Sequence, residues 1–232
     1  MNCTNCDCPF YELHSSDGVF TSTDLNCLVT DAVKQICFSA GDVLFTQGQK
    51  SSSLFSLSKG VVKITKNAPD GHEQIVGLGI PGKLLFGLQS IDEDRHKYTA
   101  VAATDGSACK VRHRALLMGV QHQPEISLRL IAALNAQLAH ARSLMEVMGH
   151  KKAAEKIAAF ILLLAPEVEA KAERFTLPFS RGDIGDLLGL SEETVCRQMA
   201  NMKRDGVIYA PRGKMRIQNL DRLREIADGR AP

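Results

Sequence analysis

Three cysteines, Cys3, Cys6 and Cys8, lie within the first eight residues, and their type and spacing suit them to chemistry. Thiolate sulfur binds soft metals such as iron and zinc, and it can also be oxidised reversibly. A group of thiols so close to a chain end is poorly placed to pack in a hydrophobic core. The spacing therefore indicates a metal-binding or redox-active segment.

The composition places these thiols in a reducing environment. The chain has 232 residues, of which 44% are hydrophobic and 23% charged, as is usual for a folded, soluble protein. The N-terminus lacks the basic and apolar regions of a signal peptide, and no apolar run is long enough to cross a membrane. We expect a cytoplasmic protein without membrane contact, whose seven cysteines do not form a disulfide framework.

Positive charge is concentrated near the C-terminus, although the net charge of the whole chain is only +2. Between residues 197 and 216, Asp205 is the one acid among six cations: Arg197, Lys203, Arg204, Arg212, Lys214 and Arg216. A stretch of this kind favours a nucleic-acid surface. Charge alone leaves a solvated face equally open.

The segment from Ser180 to Ile208 has the pattern of a helix-turn-helix. A short helix over Asp183–Leu188 ends at Gly189, and a glycine in a turn of three or four residues is typical of this motif. Ser191 is a suitable N-cap for a second helix, whose first turn contains two acids that the helix dipole favours.

The outward face of this second helix has side chains that can read bases. Arg197 can donate two hydrogen bonds to guanine, and Glu193, one turn earlier, can accept from cytosine. Two short strands follow and suit a wing that contacts phosphates. The predicted DNA-binding residues are Glu193, Cys196, Arg197, Lys203, Arg204, Arg212 and Lys214.

The N-terminal half has the pattern of a small β-domain. Residues 20–36 predict a short helix, and from Cys37 to about Arg112 short apolar runs alternate with glycines. Such runs predict an antiparallel sandwich or jelly roll. Asp70-Gly71 lies between two of them and predicts a hairpin turn.

A long helix is predicted from Pro124 to Gly149, and a separate helix begins near Lys151. The long helix has an apolar seam, which could pack on its own domain or on a second copy of the chain. We favour the second copy, because the N-terminal part offers no other long helix. The predicted dimer interface comprises Ile126, Leu130, Leu134, Leu138, Ala141, Met145 and Met148.

The sequence resembles the cyclic-AMP receptor/fumarate-nitrate reductase regulator (CRP/FNR) family of bacterial transcription factors. The resemblance rests on "GDVLFTQG", "SKGVVKI", "EQIVGLGIPGKLLFG", "KKAAEKIAAFI" and "RGDIGDLLGLSEETVCRQMANMKRDGVI". It implies an α+β fold and a homodimer that binds a palindromic DNA site and contacts RNA polymerase. The expected parts are an N-terminal cysteine loop (1–19), a β-roll (jelly-roll, cyclic-nucleotide-binding-like) sensor domain (20–122), a dimerisation helix (123–149) and a winged helix-turn-helix (150–232).

Cyclic AMP is not the effector that the resemblance implies. Members of the family that bind it have a Gly-Glu pair and, further on, an Arg-Ser or Arg-Thr step. The matching segment here is "PGKLLFGLQSIDEDRHKYTAVA", with Lys83 in place of the acid and no such step.

The oxygen-responsive branch of the family holds an iron–sulfur cluster through three N-terminal cysteines and a fourth in the β-roll. In this sequence Cys109 matches the fourth, and Cys3, Cys6 and Cys8 can supply the others to a 4Fe–4S cluster. The third N-terminal cysteine follows more closely than in that branch. A different loop path, participation of Cys27 or a smaller cluster therefore stay open. Zinc, reversible thiol oxidation, haem bound by His96, and no cofactor are further alternatives.

The resemblance implies a regulator of low-oxygen respiration that recognises an inverted TTGAT-like repeat. Cys196 stands where the branch usually has serine, and we interpret it as a possible second redox switch. The alternative is a cluster-free regulator controlled by its abundance, by thiol oxidation, or by haem or nitric oxide. An enzyme is not expected, because no cysteine has a base and an orienting group at a recognisable spacing.

Overall fold

The structure is a computed structural model that describes residues 33–67, 73–81, 84–85, 95–122, 124–149, 152–164, 175–210 and 214–230. The chain divides into two compact units, Met1–Leu138 and Ala139–Pro232, and the division falls within a long helix. The domain bounds expected from the sequence remain predictions.

The first unit is built from two four-stranded antiparallel sheets. One sheet has the strand order β1-β8-β3-β6 and the other the order β2-β7-β4-β5. The predicted β-roll is therefore confirmed. Its strands are β1 Val33–Phe38, β2 Val43–Phe45, β3 Ser53–Lys59, β4 Val62–Asn67, β5 Glu73–Gly79, β6 Leu84–Leu85, β7 Thr99–Ala102 and β8 Gly106–Arg112.

The helix predicted over residues 20–36 is wrong at its C-terminal end, where the structure has strand β1. Residues 33–36 belong to this strand, which pairs with β8 from Val33 opposite Val111 to Phe38 opposite Gly106. The backbone hydrogen bonds and cross-strand contacts of a sheet outweigh a weak local helix preference. Residues 20–32 lie outside the described part of the chain.

An apolar core fills the space between the two sheets. Its buried members are Phe38, Phe45, Phe55, Leu57, Val62, Ile64, Ala100, Ala102 and Ala108. Gly106 allows two turns to approach closely beside this core, since a Cβ there would lie 2.2 Å from the carbonyl oxygen of Lys59. The hairpin predicted at Asp70-Gly71 joins β4 to β5, which pair antiparallel; its turn lies outside the described residues.

A second apolar cluster lies on the opposite face of the β1–β8–β3 sheet. Helix α1 (His113–His122) and the start of helix α2 (Pro124–Gly149) contribute to it. Its buried residues are Val33, Leu54, Cys109, Val111, Leu116 and Ile126. This cluster fixes α1 and the first turns of α2 against the β-roll.

The second unit contains a helix-turn-helix and a small sheet, as predicted. Its elements are α3 Ala153–Leu164, β9 Phe175–Thr176, α4 Arg181–Leu188, α5 Glu192–Arg204, β10 Ile208–Tyr209, β11 Lys214–Ile217 and α6 Leu220–Ala227. The sheet order β10-β11-β9 gives the wing, which we define as the β10–β11 hairpin. None of the helices that the structure describes is both long and apolar enough to span a membrane.

Candidate DNA interface and sensor residues

Capping fixes the ends of helices α4 and α5. Ser180 Oγ accepts a hydrogen bond from Asp183 N, and the Asp183 carboxylate accepts one from Ser180 N, each at 2.9 Å. Ser191 Oγ likewise accepts from Thr194 N at the start of α5. These caps satisfy backbone donors that a helix start would otherwise leave unpaired. They set where the second helix begins.

The turn between α4 and α5 depends on two glycines. Gly189 adopts a left-handed conformation, with φ 65°, that ends α4. A Cβ on Gly185 would lie 2.5 Å from the carbonyl oxygen of Leu190, so only glycine lets the turn fold back this closely. The angle between the two helices follows from this tight turn.

Lys156 of α3 supports the turn from outside. Its ammonium donates a hydrogen bond of 3.1 Å to the carbonyl oxygen of Leu188, the last residue of α4. A cation at a helix C-terminus both satisfies an unpaired carbonyl and complements the helix dipole. Sequence reasoning missed this residue, because its partner lies 32 positions away.

We expect Lys156→Met to lower the free energy of unfolding by about 1–2 kcal/mol, because the Leu188 carbonyl loses a charged donor at a half-buried site. Denaturant titration of the full chain measures it as a lower midpoint with an unchanged slope. Lys152→Met is the matched control. Lys152 is itself 70% exposed and lies 3.7 Å from Glu155, so the loss of its ammonium should cost about 0–1 kcal/mol. Equal effects of the two variants would contradict this role of Lys156.

Helix α5 buries one face and exposes the other. Val195, Met199 and Met202 are buried, whereas Cys196 is exposed. Glu193 and Arg197 lie one turn apart, with Oε1 and a guanidinium nitrogen 3.7 Å from each other. The side chains are 86% and 61% exposed respectively, so the pair is open to a partner from solvent.

The remaining predicted DNA contacts follow α5. Lys203 and Arg204 are exposed in the last turn, where Arg204 forms an ion pair of 3.2 Å with Asp205. Lys214 begins β11, and only its backbone is described; Arg212 lies outside the described residues. These roles in DNA binding remain predictions.

The four predicted cluster ligands divide between two parts of the chain. Cys3, Cys6 and Cys8 lie outside the described residues. Cys109 is on β8 and is 1% exposed, within the apolar cluster that α1 and α2 cover. Its sulfur lies 4.0 Å from Ser58 Oγ. Within the part of the chain that the structure describes, no three His, Cys, Asp or Glu side chains come together as a metal site.

His96, the predicted haem-ligand alternative, is buried at 7% exposure. Its ring stacks on Phe45, with centroids 4.1 Å apart, and its backbone hydrogen-bonds to Gly48 and Gln49. Burial lowers the pKa of His96 below its ordinary value, and the nearby positive charges of His113 and Lys110 lower it further. The imidazole is therefore neutral at physiological pH and packs as part of the β-roll core.

His96 should make stability depend on pH. The pKa of His96 is lower in the folded chain than its unfolded value of about 6.5. The contribution of His96 to the free energy of unfolding is therefore fully present above the unfolded pKa and is lost as pH falls through the folded pKa. The melting temperature of the full chain should therefore fall on acidification below about pH 6.5. His96→Phe keeps the stacking on Phe45 but cannot titrate, so its melting temperature should fall less. Parallel pH profiles of the two proteins would contradict the assignment.

The predicted dimer seam mixes two faces of α2. Ile126 is buried in the core of its own chain and Leu130 packs against the same cluster. The dimer interface stays a prediction. From Ile126 to Leu138 the predicted seam residues are four positions apart, and each step of four moves a side chain about 40° around the helix axis. Leu138 therefore lies about 120° around the helix from Ile126 and faces a different direction.

Six of the exposed apolar residues of α2 form a different stripe. Their spacing alternates three and four, which is the heptad spacing of a coiled coil. We call this set the apolar seam: Ile131, Leu134, Leu138, Ala141, Met145 and Met148, all exposed on the chain. Ile131 is the residue that sequence reasoning missed, although heptad counting back from Met145 reaches it.

Comparisons with known proteins match both units. A family model described as "Cyclic nucleotide-binding domain" matches residues 35–122, and one described as "Crp-like helix-turn-helix domain" matches residues 155–226. The nitrogen fixation regulation protein FixK of Bradyrhizobium diazoefficiens is 31% identical, over 84% of this chain and 82% of that protein. The transcriptional activator protein FnrL of Cereibacter sphaeroides is 33% identical, over 78% and 74%.

A solved structure shares the fold. The structure of FixK2 from Bradyrhizobium japonicum superposes with a TM-score of 0.72 at 28% identity, covering 84% of this chain and 96% of that one. These matches cover the β-roll and the helix-turn-helix. Together they show that the chain belongs to the CRP/FNR family of transcription regulators.

Proposed function

We propose that the chain is a homodimeric transcription regulator that binds a specific DNA sequence and responds to oxygen through a cysteine-ligated iron–sulfur cluster. The observation that carries the DNA-binding part is the exposed Glu193–Arg197 pair on the N-terminal half of α5. In a helix-turn-helix this half of the second helix enters the major groove. RNA polymerase is the partner that the family resemblance implies.

The chemistry of the pair predicts which base pair is read. Arg197 donates to guanine O6 and N7, and Glu193 accepts from cytosine N4 while it holds the guanidinium in place. A G·C pair at the centre of each half of an inverted TTGAT-like repeat fits this pair. Selection from a pool of random duplexes tests the proposal and should enrich that repeat. Enrichment of unrelated or asymmetric sequences would contradict it.

The apolar seam supports the homodimer. Six exposed apolar residues at heptad spacing are costly in water and are buried when two such helices pair. A twofold dimer places one α5 on each half of an inverted repeat, about one helical turn apart. The symmetry of the protein and that of the DNA site are then the same.

The position of Cys109 supports the cluster. One thiol shielded from water, with a serine hydroxyl near its sulfur, fits one ligand of an iron–sulfur cluster. Strand β1 starts at Val33, opposite Val111, which is two residues from Cys109 on β8. The 24 residues between Cys8 and Val33 are long enough to bring the N-terminal cysteines to Cys109. When bound, the cluster supplies an oxygen-sensitive inorganic core.

Cys109 should be needed for metal content. We expect Cys109→Ala, purified without oxygen, to retain much less iron and acid-labile sulfide than the unchanged protein, because one of four thiolate ligands is lost. Cys37→Ala is the control: Cys37 is exposed on β1 and is not a proposed ligand, so its removal should leave both contents unchanged. If Cys109→Ala keeps full iron and sulfide while Cys3→Ala also does, the cluster assignment is wrong.

Control through Cys196 is a second candidate, favoured by the exposure of this thiol beside Arg197 on α5. Oxidation would add bulk and charge on the face that meets DNA. A variant that retains Cys196 as its one cysteine should lose DNA affinity after peroxide treatment and recover it with a thiol reductant. Unchanged binding after peroxide would rule this candidate out.

A further inference from the structure

In the second unit the arginines in and after α6 form ion pairs, whereas Arg216 on β11 is exposed to solvent. Each arginine in and after α6 forms an ion pair with a nearby acid: Arg222 with Glu225, Arg224 with Asp221, and Arg230 with Asp228. Among the described residues, Arg216 on β11 has no acidic partner, and it is exposed. An exposed guanidinium of this kind can bind an anion from outside the chain.

Arg216 shares a surface with an exposed aromatic residue. In the β10–β11 pair Tyr209 lies directly opposite Arg216, so the two side chains are neighbours on one face of the wing. Ile208 and Met215, which alternate with them, are 0% and 1% exposed. Tyr209 is 48% exposed, so it and Arg216 point away from the core.

This surface is continuous with the proposed DNA interface. Helix α5 ends at Arg204, and β10 starts four residues later at Ile208. Exposed Lys203 and Arg204 lie at that end of α5. Positively charged residues therefore follow one another along the chain from the last turn of α5 to the outer face of the wing.

We propose that Tyr209 and Arg216 bind a DNA phosphate that flanks the base pairs read by α5. This inference rests on the proposed DNA-binding function. A guanidinium matches the geometry of a phosphate, to which it donates two hydrogen bonds, and a tyrosine hydroxyl can donate a third. The contact is independent of sequence, and it lies beside the tip of the wing, where Arg212 and Lys214 were expected to act.

Salt dependence of binding tests the proposal. The probes are two labelled duplexes with the same inverted repeat, one that ends at its last base pair and one extended by about one helical turn, roughly 10 base pairs, on each side. Each phosphate contact contributes about 0.9 to the slope of log K against log salt. Arg216→Gln should reduce that slope by about 0.9 per protomer on the extended duplex and leave it unchanged on the short one. Tyr209→Phe should weaken binding to the extended duplex by a few fold.

Arg224→Gln is the matched control, because Arg224 is paired with Asp221 on α6 and should not contact DNA. An unchanged slope for Arg216→Gln on the extended duplex, or an equal reduction on both duplexes, overturns the proposal. Normal binding with reduced transcription would also overturn it, since this face would then serve a protein partner. If the unchanged chain binds neither duplex specifically, the proposed function fails instead.

Discussion

Replacing Arg197 by alanine should reduce binding to the inverted repeat by roughly 5- to 150-fold for each half-site, which corresponds to about 1–3 kcal/mol. The loss follows from the two hydrogen bonds to guanine that no neighbouring side chain can replace. In the free chain Glu193 Oε1 lies 3.7 Å from the guanidinium, close enough to favour this orientation of the arginine. Fluorescence anisotropy with the repeat and with a scrambled duplex measures the change.

Two comparisons make this result specific. Affinity for the scrambled duplex should change little, because non-specific binding depends on phosphate contacts rather than on base edges. Arg222→Ala, which removes an arginine paired with Glu225 on α6, should leave both affinities unchanged. Equal losses on both duplexes would mean that Arg197 contacts phosphate and not a base.

Replacing Leu138 by glutamate should separate the dimer and weaken binding to the full repeat by on the order of 10²- to 10⁴-fold, since two linked half-sites bind far more tightly than one. Leu138 lies at the centre of the apolar seam and is 48% exposed on the single chain. A charge there is costly only when a second helix covers it. The chain itself should therefore remain folded.

Sedimentation gives the assembly state directly. Leu138→Glu should sediment as a single chain at concentrations where the unchanged protein is a dimer. Ala139→Glu is the control, because Ala139 is exposed on the same helix but lies outside the seam. Dimers of the Leu138 variant, or single chains of the unchanged protein, would contradict the proposed interface.

Local patterns explain why the helix-turn-helix could be predicted closely. Ser191, Gly189 and the buried series Val195, Met199 and Met202 act through neighbours within one or two turns. Helix caps and helical periodicity can be recognised from the sequence alone. The structure moves the start of α4 from the predicted Asp183 to Arg181, since Ser180 provides the cap.

Features that depend on contacts between residues far apart in the sequence could not be predicted from local patterns. Residues 33–36 were predicted as helical but belong to β1. The strand that pairs with β1, Gly106–Arg112, lies some 70 positions further along the chain, so the pairing could not be predicted locally. The burial of Ile126 with Leu54 and Val111 is a property of the folded β-roll, which helical spacing alone does not show. His96 was named only as an alternative haem ligand, and its stacking on Phe45 in the core could not be predicted from the sequence. Tertiary contacts decide such positions.

The most direct measurement is DNA binding by one sample purified without oxygen, before and after exposure to air, with iron and acid-labile sulfide determined each time. We expect about four iron and four sulfide per protomer. We also expect tight binding to the inverted repeat, and loss of both the cluster and the binding in air. Iron-free protein that binds the repeat equally well in both states would contradict oxygen sensing through Cys3, Cys6, Cys8 and Cys109.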